Sequence, residues 1–474
     1  MTREQPDDNS WPVSLISPFR RTARTSPASW NSLIPWLGAL PIGLYFLALA
    51  LPRQWRMQTT GFDLGIFEEA VRGYASGHAP VVALKGAGFD QLGDHFSPLL
   101  AVLAPVYRLF PGAQTLLVAQ AVLFALSTVP VTRTAVELLG RARGLAVGLA
   151  YGLSWGLCRA DLFDFHEVAL AVPLAAWSVA ALVRGQHRAA VCWALPLLLV
   201  KEDQGLLVAG IGVLVWWRGG RRLGAATVLA AVAGTLLAVL VLVPAFNPGG
   251  SYTYAANGAW HGDPLNRLLL PEAKWHTVKL LLAPTLFVAL RSPLCLLTVL
   301  PLAARFWTTN PTYWSTGLHY NAVLMPVLFL ALADGLRRLP RWTGPAARAI
   351  PALALVLALA HAPRPDLSGP DPQVRQARQV LAVIPDGATV AAANQLAPQL
   401  TDRCTVSLFP YLTYPNAAGS VGRPVARWVA ALDRPGDFPV PEPDQLTALA
   451  ALPTAGYRVV AAGGGVTVYQ WNGN

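Results

Sequence analysis

The sequence predicts an α-helical polytopic membrane protein, with about eleven transmembrane helices followed by a small α/β domain on the non-cytoplasmic side. Three observations predict it. Charged residues make up 13% of the 474 positions and hydrophobic residues 54%, whereas a soluble domain carries about 25% charged residues. The apolar residues fall in long blocks instead of alternating with polar ones, as expected of a chain solvated by lipid. The arginines gather in alternate connections between those blocks, the pattern of short cytoplasmic loops.

Residues 1–32 are polar and carry Arg20, Arg21 and Arg24, so they read as a disordered cytoplasmic segment with no cleavable signal. The transmembrane domain runs over 33–361, beginning with a signal-anchor helix at 33–52. Further spans are expected at 113–132, 144–160, 167–183, 189–200, 204–217, 223–245, 277–290, 293–305, 319–336 and 346–361. Inner loops are marked by Arg133, Arg141 and Arg143, by Arg184 and Arg188, by Arg218, Arg221 and Arg222, and by Arg337, Arg338 and Arg341. The stretch 189–217 reads as a hairpin with Lys201, Glu202 and Asp203 at its outer tip, because three charges inside one long helix would be costly. The short apolar segment 97–111 reads as interfacial or re-entrant, since a crossing there would put the arginine clusters on the wrong sides.

From about 362 to 474 long apolar runs stop. A helix is expected over 372–383, strands over 388–393 and 404–409, and a hairpin around Gly463, Gly464 and Gly465. Parity from a cytoplasmic N-terminus places this domain outside.

Several function classes find no support. Of 36 basic residues only four are lysine (Lys85, Lys201, Lys274, Lys279), and the arginines form no stripe with interleaved aromatics for nucleic acid. Cys158, Cys192, Cys295 and Cys404 lack zinc or redox spacing. No dinucleotide or P-loop pattern precedes a helix.

The unusual polar residues lie in the outer connections. In the long first loop, 53–97, Leu64, Phe67, Val71 and Tyr74 recur at helical spacing, with Glu68, Glu69 and Arg72 between them, so a helix lying flat on the membrane is expected. Asp63 at its start is either an N-cap or a functional acid. Asp90, Asp94 and His95 could hold a divalent cation, shuttle a proton, or be an ordinary solvated loop. Asp161, Asp164, His166 and Glu167 crowd the next outer connection, where ionisable groups are functional suspects, His166 and Glu167 foremost. Lys201, Glu202 and Asp203 either neutralise one another or present a lysine to a phosphate. His319 and Tyr320 follow an aromatic loop (Phe306, Trp307, Tyr313, Trp314) that reads as an interfacial belt.

The ordered motifs FDLGIFEEA (62–70), GDHFSPLLAVLAPVYRLFP (93–111), FDFHEVALAVP (163–173), LLLVKEDQG (197–205) and LHYNAVLMP (318–326), with NQLAPQL and YRVV in the tail, resemble a family of prokaryotic polytopic membrane proteins catalogued as a domain of unknown function. That family in turn resembles, at a distance, the GT-C membrane glycosyltransferases. The resemblance implies a GT-C-like architecture, a polyprenyl-phosphate sugar donor and a catalytic acid in the first outer loop. Asp63 matches that placement, although Leu64 follows where those enzymes carry a second acid.

The leading expectation is therefore sugar transfer at the outer leaflet. Asp63 would be the general base, Asp94 or His95 would assist or bind metal, and Lys201 would meet the donor phosphate. His166, Glu167, Glu202, Asp203, His319 and Tyr320 would contact substrate. A lipid or solute transporter and a non-catalytic envelope scaffold are the alternatives. Membrane lipids are the expected partners.

Overall fold

A computed structural model describes residues 33–258, 263–340, 344–369, 371–412 and 426–473; the expected segment 1–32 lies outside these. The chain is mostly helical, and helical segments fall on all of the expected spans. Among the described residues four helices are long and apolar enough to cross a membrane: Ile34–Trp55, Ala113–Leu139, Arg221–Phe246 and His319–Arg337. Their most apolar stretches are 33%, 67%, 22% and 94% buried respectively, which puts His319–Arg337 at the centre of the bundle and Arg221–Phe246 at its rim. Val168–Val183, nearly all buried, stands beside the centre. Hydrophobic helices buried on all sides belong to the interior of a membrane bundle.

Small residues let the backbones approach. The Arg141–Gly152 helix lies against Ala113–Leu139 so closely that a Cβ on Gly148 would sit 2.0 Å from Thr132 Oγ1. The span expected over 144–160 is broken: this helix stops at Gly152, and Trp155–Leu162 starts anew after Leu153 and Ser154. The 189–217 hairpin is present, turning at Lys201–Gln204, with Gly220 packed beside His187 at its base. Arginine loops distant in sequence meet at one end. Arg133 and Arg184 share Glu137 at 3.1 and 3.9 Å, Arg218 donates to the Leu182 carbonyl at 2.7 Å, and Arg338 pairs with Asp334 at 2.8 Å.

The long first loop departs from expectation. Its Ile66–Ala75 helix is not laid on lipid but sandwiched. Phe67 and Val71 join the core of the membrane helices, while Ile66 and Ala70 join the core of the C-terminal sheet. Glu68 and Glu69, spaced like a solvent-facing pair, are consequently buried. The 97–111 segment is a short helical stretch under this sandwich, its Leu103 and Tyr107 buried against it.

The tail forms a five-stranded sheet in the order β2-β1-β3-β5-β4. β1 (Thr389–Ala392) runs parallel to β2 (Thr405–Leu408) and to β3 (Trp428–Leu432). β5 (Val466–Trp471) pairs antiparallel with β3 and with β4 (Tyr457–Gly463). Helix Pro372–Leu381, both parallel strands and the glycine hairpin lie where the sequence put them; β3 and helix Glu442–Ala451 are additional. Cross-links tie this unit to the first loop. Gln54 Nε2 donates to the Pro398 carbonyl at 3.1 Å, Arg72 donates to the Cys404 carbonyl at 2.7 Å, and Arg56 pairs with Asp366.

Candidate functional site

The centre of the site is a strained turn. Gly61–Gly65 makes one wide turn in which Asp63 has φ 123° and ψ −64°, a region that residues with a Cβ occupy at a cost. Contacts from elsewhere hold it there. The Gly61 amide donates to the Asn394 carbonyl at 2.7 Å and the Phe62 amide to Asn394 Oδ1 at 2.8 Å. The Thr60 amide donates to Asp164 Oδ2 at 2.8 Å, and Arg53 stands 3.7 Å from the same carboxylate. Only glycine fits at 61, where a Cβ would lie 2.7 Å from that of Ala397. Asp63 is not an N-cap, because Gly65 occupies the cap position of the following helix. Its side chain is 27% exposed, and Oδ1 lies 3.9 Å from His166 Nε2. Burial pushes its carboxyl above the ordinary range, against the opposing pull of His166.

A connected cluster lies behind Asp63. His166 Nδ1 pairs with Glu167, whose other oxygen is 2.8 Å from Lys201 Nζ. The His166 ring stacks on His319 at 3.4 Å, and His319 lies 4.2 Å from the Tyr320 ring. Neither ring nitrogen of His319 has a hydrogen-bond partner among the described residues. Local structure explains the convergence. Glu167 stands at the residue before Val168–Val183, Lys201 occupies the extended break of the hairpin, and His319 opens a short turn before Leu324–Arg337. Burial disfavours the Lys201 ammonium, but Glu167, Asp203 and Glu202 outweigh it and hold its pKa well above the ordinary value.

Asp94 and His95 belong to a neighbouring network. Asp94 is paired with Lys85 and accepts from Tyr254 Oη at 2.9 Å. His95 Nδ1 is 2.8 Å from Glu202 Oε1, and its ring stacks on Tyr254 at 4.6 Å. Glu202 also accepts from the Phe96 amide at 3.1 Å and from Tyr252 Oη at 2.9 Å. Burial and Lys201 act against a charged His95; Glu202 and Asp94 prevail and raise its pKa. Asp90 stays apart, accepting from the Leu92 amide as the cap of a short turn. Among the described residues no three His, Cys, Asp or Glu side chains are grouped to hold a metal ion.

Both networks border a cleft of about 1100 Å³, open to solvent and lined by Lys201, Glu202, Asp203, Tyr252, Tyr254 and Tyr320, among others. Asp203 is exposed within it and accepts from Gln204. Asp63 stands beside this cleft, not on its wall, within electrostatic reach of the lining residues Lys201 and Tyr320. The expected aromatic belt is divided. Trp307 and Tyr313 line the cleft, whereas Trp314 and Phe306 are buried, with the Lys274 ammonium 4.5 Å from the Trp314 ring. A cation without a carboxylate partner draws aromatic faces inward.

Sequence reasoning missed Arg305, which lines the cleft and donates to Asn321 Oδ1 and to the Tyr313 and Tyr320 carbonyls. It also missed Tyr252, Tyr254 and Asn394. A lone arginine inside an apolar block was the available signal for Arg305.

Over residues 53–424 the chain matches the model of the family described as Predicted membrane protein (DUF2079), and it belongs to that family. No curated protein matches it. Among solved structures, ArnT from Cupriavidus metallidurans bound to undecaprenyl phosphate superposes with a TM-score of 0.56 at 14% identity, covering 94% of this chain and 98% of that one. ArnT from the same organism in the apo state gives 0.55 at 15% identity, covering 93% and 97%. At such identities the likeness is one of fold.

Proposed function

We propose that this member of the DUF2079 family is a GT-C-like glycosyltransferase that moves a sugar from a polyprenyl-phosphate donor to an envelope acceptor. The observation that carries the reading is Asp63: a strained, partly exposed carboxylate with a raised pKa, set against the His166–Glu167–Lys201 cluster. A carboxylate whose pKa is raised is a stronger base, as proton abstraction from a hydroxyl requires. The GT-C fold, found in a neighbour crystallised with undecaprenyl phosphate, supports the donor class.

Asp63 takes the proton of an acceptor hydroxyl as that oxygen bonds to the anomeric carbon. The bond from that carbon to the donor phosphate oxygen breaks, and polyprenyl phosphate leaves. Lys201 spends one of three N–H groups on Glu167 and turns the rest to the departing phosphate, with Arg305 on the same wall. His166 orients Asp63; Glu202, fixed by His95 and Tyr252, and the open Asp203 contact sugar hydroxyls, with His319 and Tyr320 beside them. Asp94, paired with Lys85, steadies Tyr254 at the rim and carries no metal in this scheme.

The chain crosses the membrane about eleven times with the N-terminus cytoplasmic and the tail outside, by the arginine asymmetry. Membranes containing the protein, given labelled polyprenyl-phosphate sugars, test the reaction. Asp63→Asn should abolish transfer without lowering expression. Retained turnover removes Asp63 as base, and translocation without transfer replaces the enzyme by a transporter.

A further inference from the structure

A second cleft, enclosing about 1010 Å³, shares no lining residue with the first. It lies between the Trp155–Leu162 helix, the chain around Leu280–Pro284 and the far end of the Gly344–His361 helix. Its walls are mainly apolar, among them Leu153, Leu280, Pro284 and Leu357. Neither proton chemistry nor the cluster around Asp63 uses it.

Two polar features on this wall have no internal explanation. Arg159 is exposed, and no carboxylate or carbonyl partner meets its guanidinium among the described residues. It belongs to the short helix that leads into the acidic connection, on a wall that is otherwise mainly apolar, where a guanidinium without a counter-charge calls for an anion. Ser154, the residue before that helix, is 1% exposed, and among the described residues its hydroxyl has no hydrogen-bond partner and caps nothing. The first amides of a helix lack intrahelical acceptors and favour an anion. Arg159 follows Trp155 by one turn, and helical side chains lean toward the N-terminus, so its charge leans to the Ser154 end.

We propose that this cleft binds an anionic phospholipid of the surrounding bilayer, with the phosphate diester at Arg159 and the Ser154 end of the helix and an acyl chain along the apolar wall. One permanent cation matches a phosphodiester, which carries one negative charge, better than a phosphate monoester. His361 on the opposite rim already engages the Leu357 carbonyl through Nδ1, leaving the charge match to Arg159.

The test uses the full-length protein in neutral detergent, titrated with phosphatidylglycerol or with phosphatidylcholine of the same chains, reading the unfolding midpoint and native mass spectra. Phosphatidylglycerol should raise the midpoint and stay bound, and phosphatidylcholine should do neither. Arg159→Gln should weaken phosphatidylglycerol roughly tenfold while leaving the lipid-free midpoint unchanged, because the side chain has no partner to lose among the described residues. Arg159→Lys should restore part of the effect, and Ser154→Ala should weaken it less. Equal shifts from both lipids, or an unaltered response in Arg159→Gln, overturn the proposal. Displacement of phosphatidylglycerol from this site by trace undecaprenyl phosphate also overturns it, assigning the cleft to the donor instead. Binding is read without sugar transfer, so failure here is distinct from failure of the catalytic reading.

Discussion

Replacing Glu68 by glutamine should remove a large part of the pH dependence of unfolding between about pH 5 and 8. Glu68 is fully buried between Tyr107 Oη, at 2.9 Å, and Thr401 Oγ1, and burial pushes its carboxyl from 4.5 up to about 8. Asp402 adds to the rise and Arg72 opposes it. Glu69, which accepts from the Leu84 and Val406 amides, is pushed up to about 7 by the same burial. Both folded-state values exceed the unfolded one, so the folded chain holds protons that the unfolded chain releases. Their contribution is therefore complete below about pH 4.5 and is lost as pH rises through the folded values. A rise from 4.5 to about 8 is worth on the order of 5 kcal/mol, and that of Glu69 to about 7 on the order of 3 kcal/mol. Glutamine is neutral at every pH and can both donate and accept, so it keeps two hydroxyl partners. The assay is the unfolding midpoint of purified protein in detergent, measured across this range for both proteins. Wild type should lose stability steadily as pH rises, and Glu68→Gln should lose distinctly less. Parallel profiles would refute a protonated Glu68 in the folded chain.

The other expectations concern positioning and sidedness. Asn394→Ala removes the acceptor of the Phe62 amide and should lower kcat for sugar transfer about tenfold or more with little change in donor KM. Asn394→Asp keeps that acceptor and should recover much of the rate, whereas equal losses in both variants would mean that Asn394 only stabilises the fold. A cysteine at Gly465, in a background with the exposed Cys192 replaced, should react with a membrane-impermeant thiol reagent in intact cells. Gly465 is the position to use, since a Cβ on Gly464 would lie 2.2 Å from the Gln373 carbonyl. Labelling only after lysis would place the tail in the cytoplasm.

Much of the framework was legible because lipid imposes coarse rules. Long apolar blocks became helices, and arginines separated by dozens of residues came to one end, as Arg133, Arg184 and Glu137 show. His166, Glu167 and Lys201 stood out as charges where charges are expensive, and they meet. What stayed hidden depended on contacts between distant segments. Glu68 and Glu69 have the spacing of a solvent-facing pair, and only the sheet on the far side of their helix buries them. Tyr252 and Tyr254 sit in a loop without periodicity and gain meaning from Glu202 and Asp94. β3, WVAAL, is too short and uniformly apolar for an alternating signal. The sandwiching of the first loop could not be read from its own amphipathic spacing, which suits a membrane surface equally well.

The turn that carries Asp63 is held by a residue made 332 positions later. Until that residue is made, the Gly61 and Phe62 amides lack their acceptors, and Glu68 and Glu69 lack the sheet that buries them. Only when the last segment arrives do the Gly61 and Phe62 amides find Asn394, and docking then draws protons onto the buried acids. A chain truncated before residue 394 would therefore keep its apolar helices yet lack the acceptors that hold the Asp63 turn.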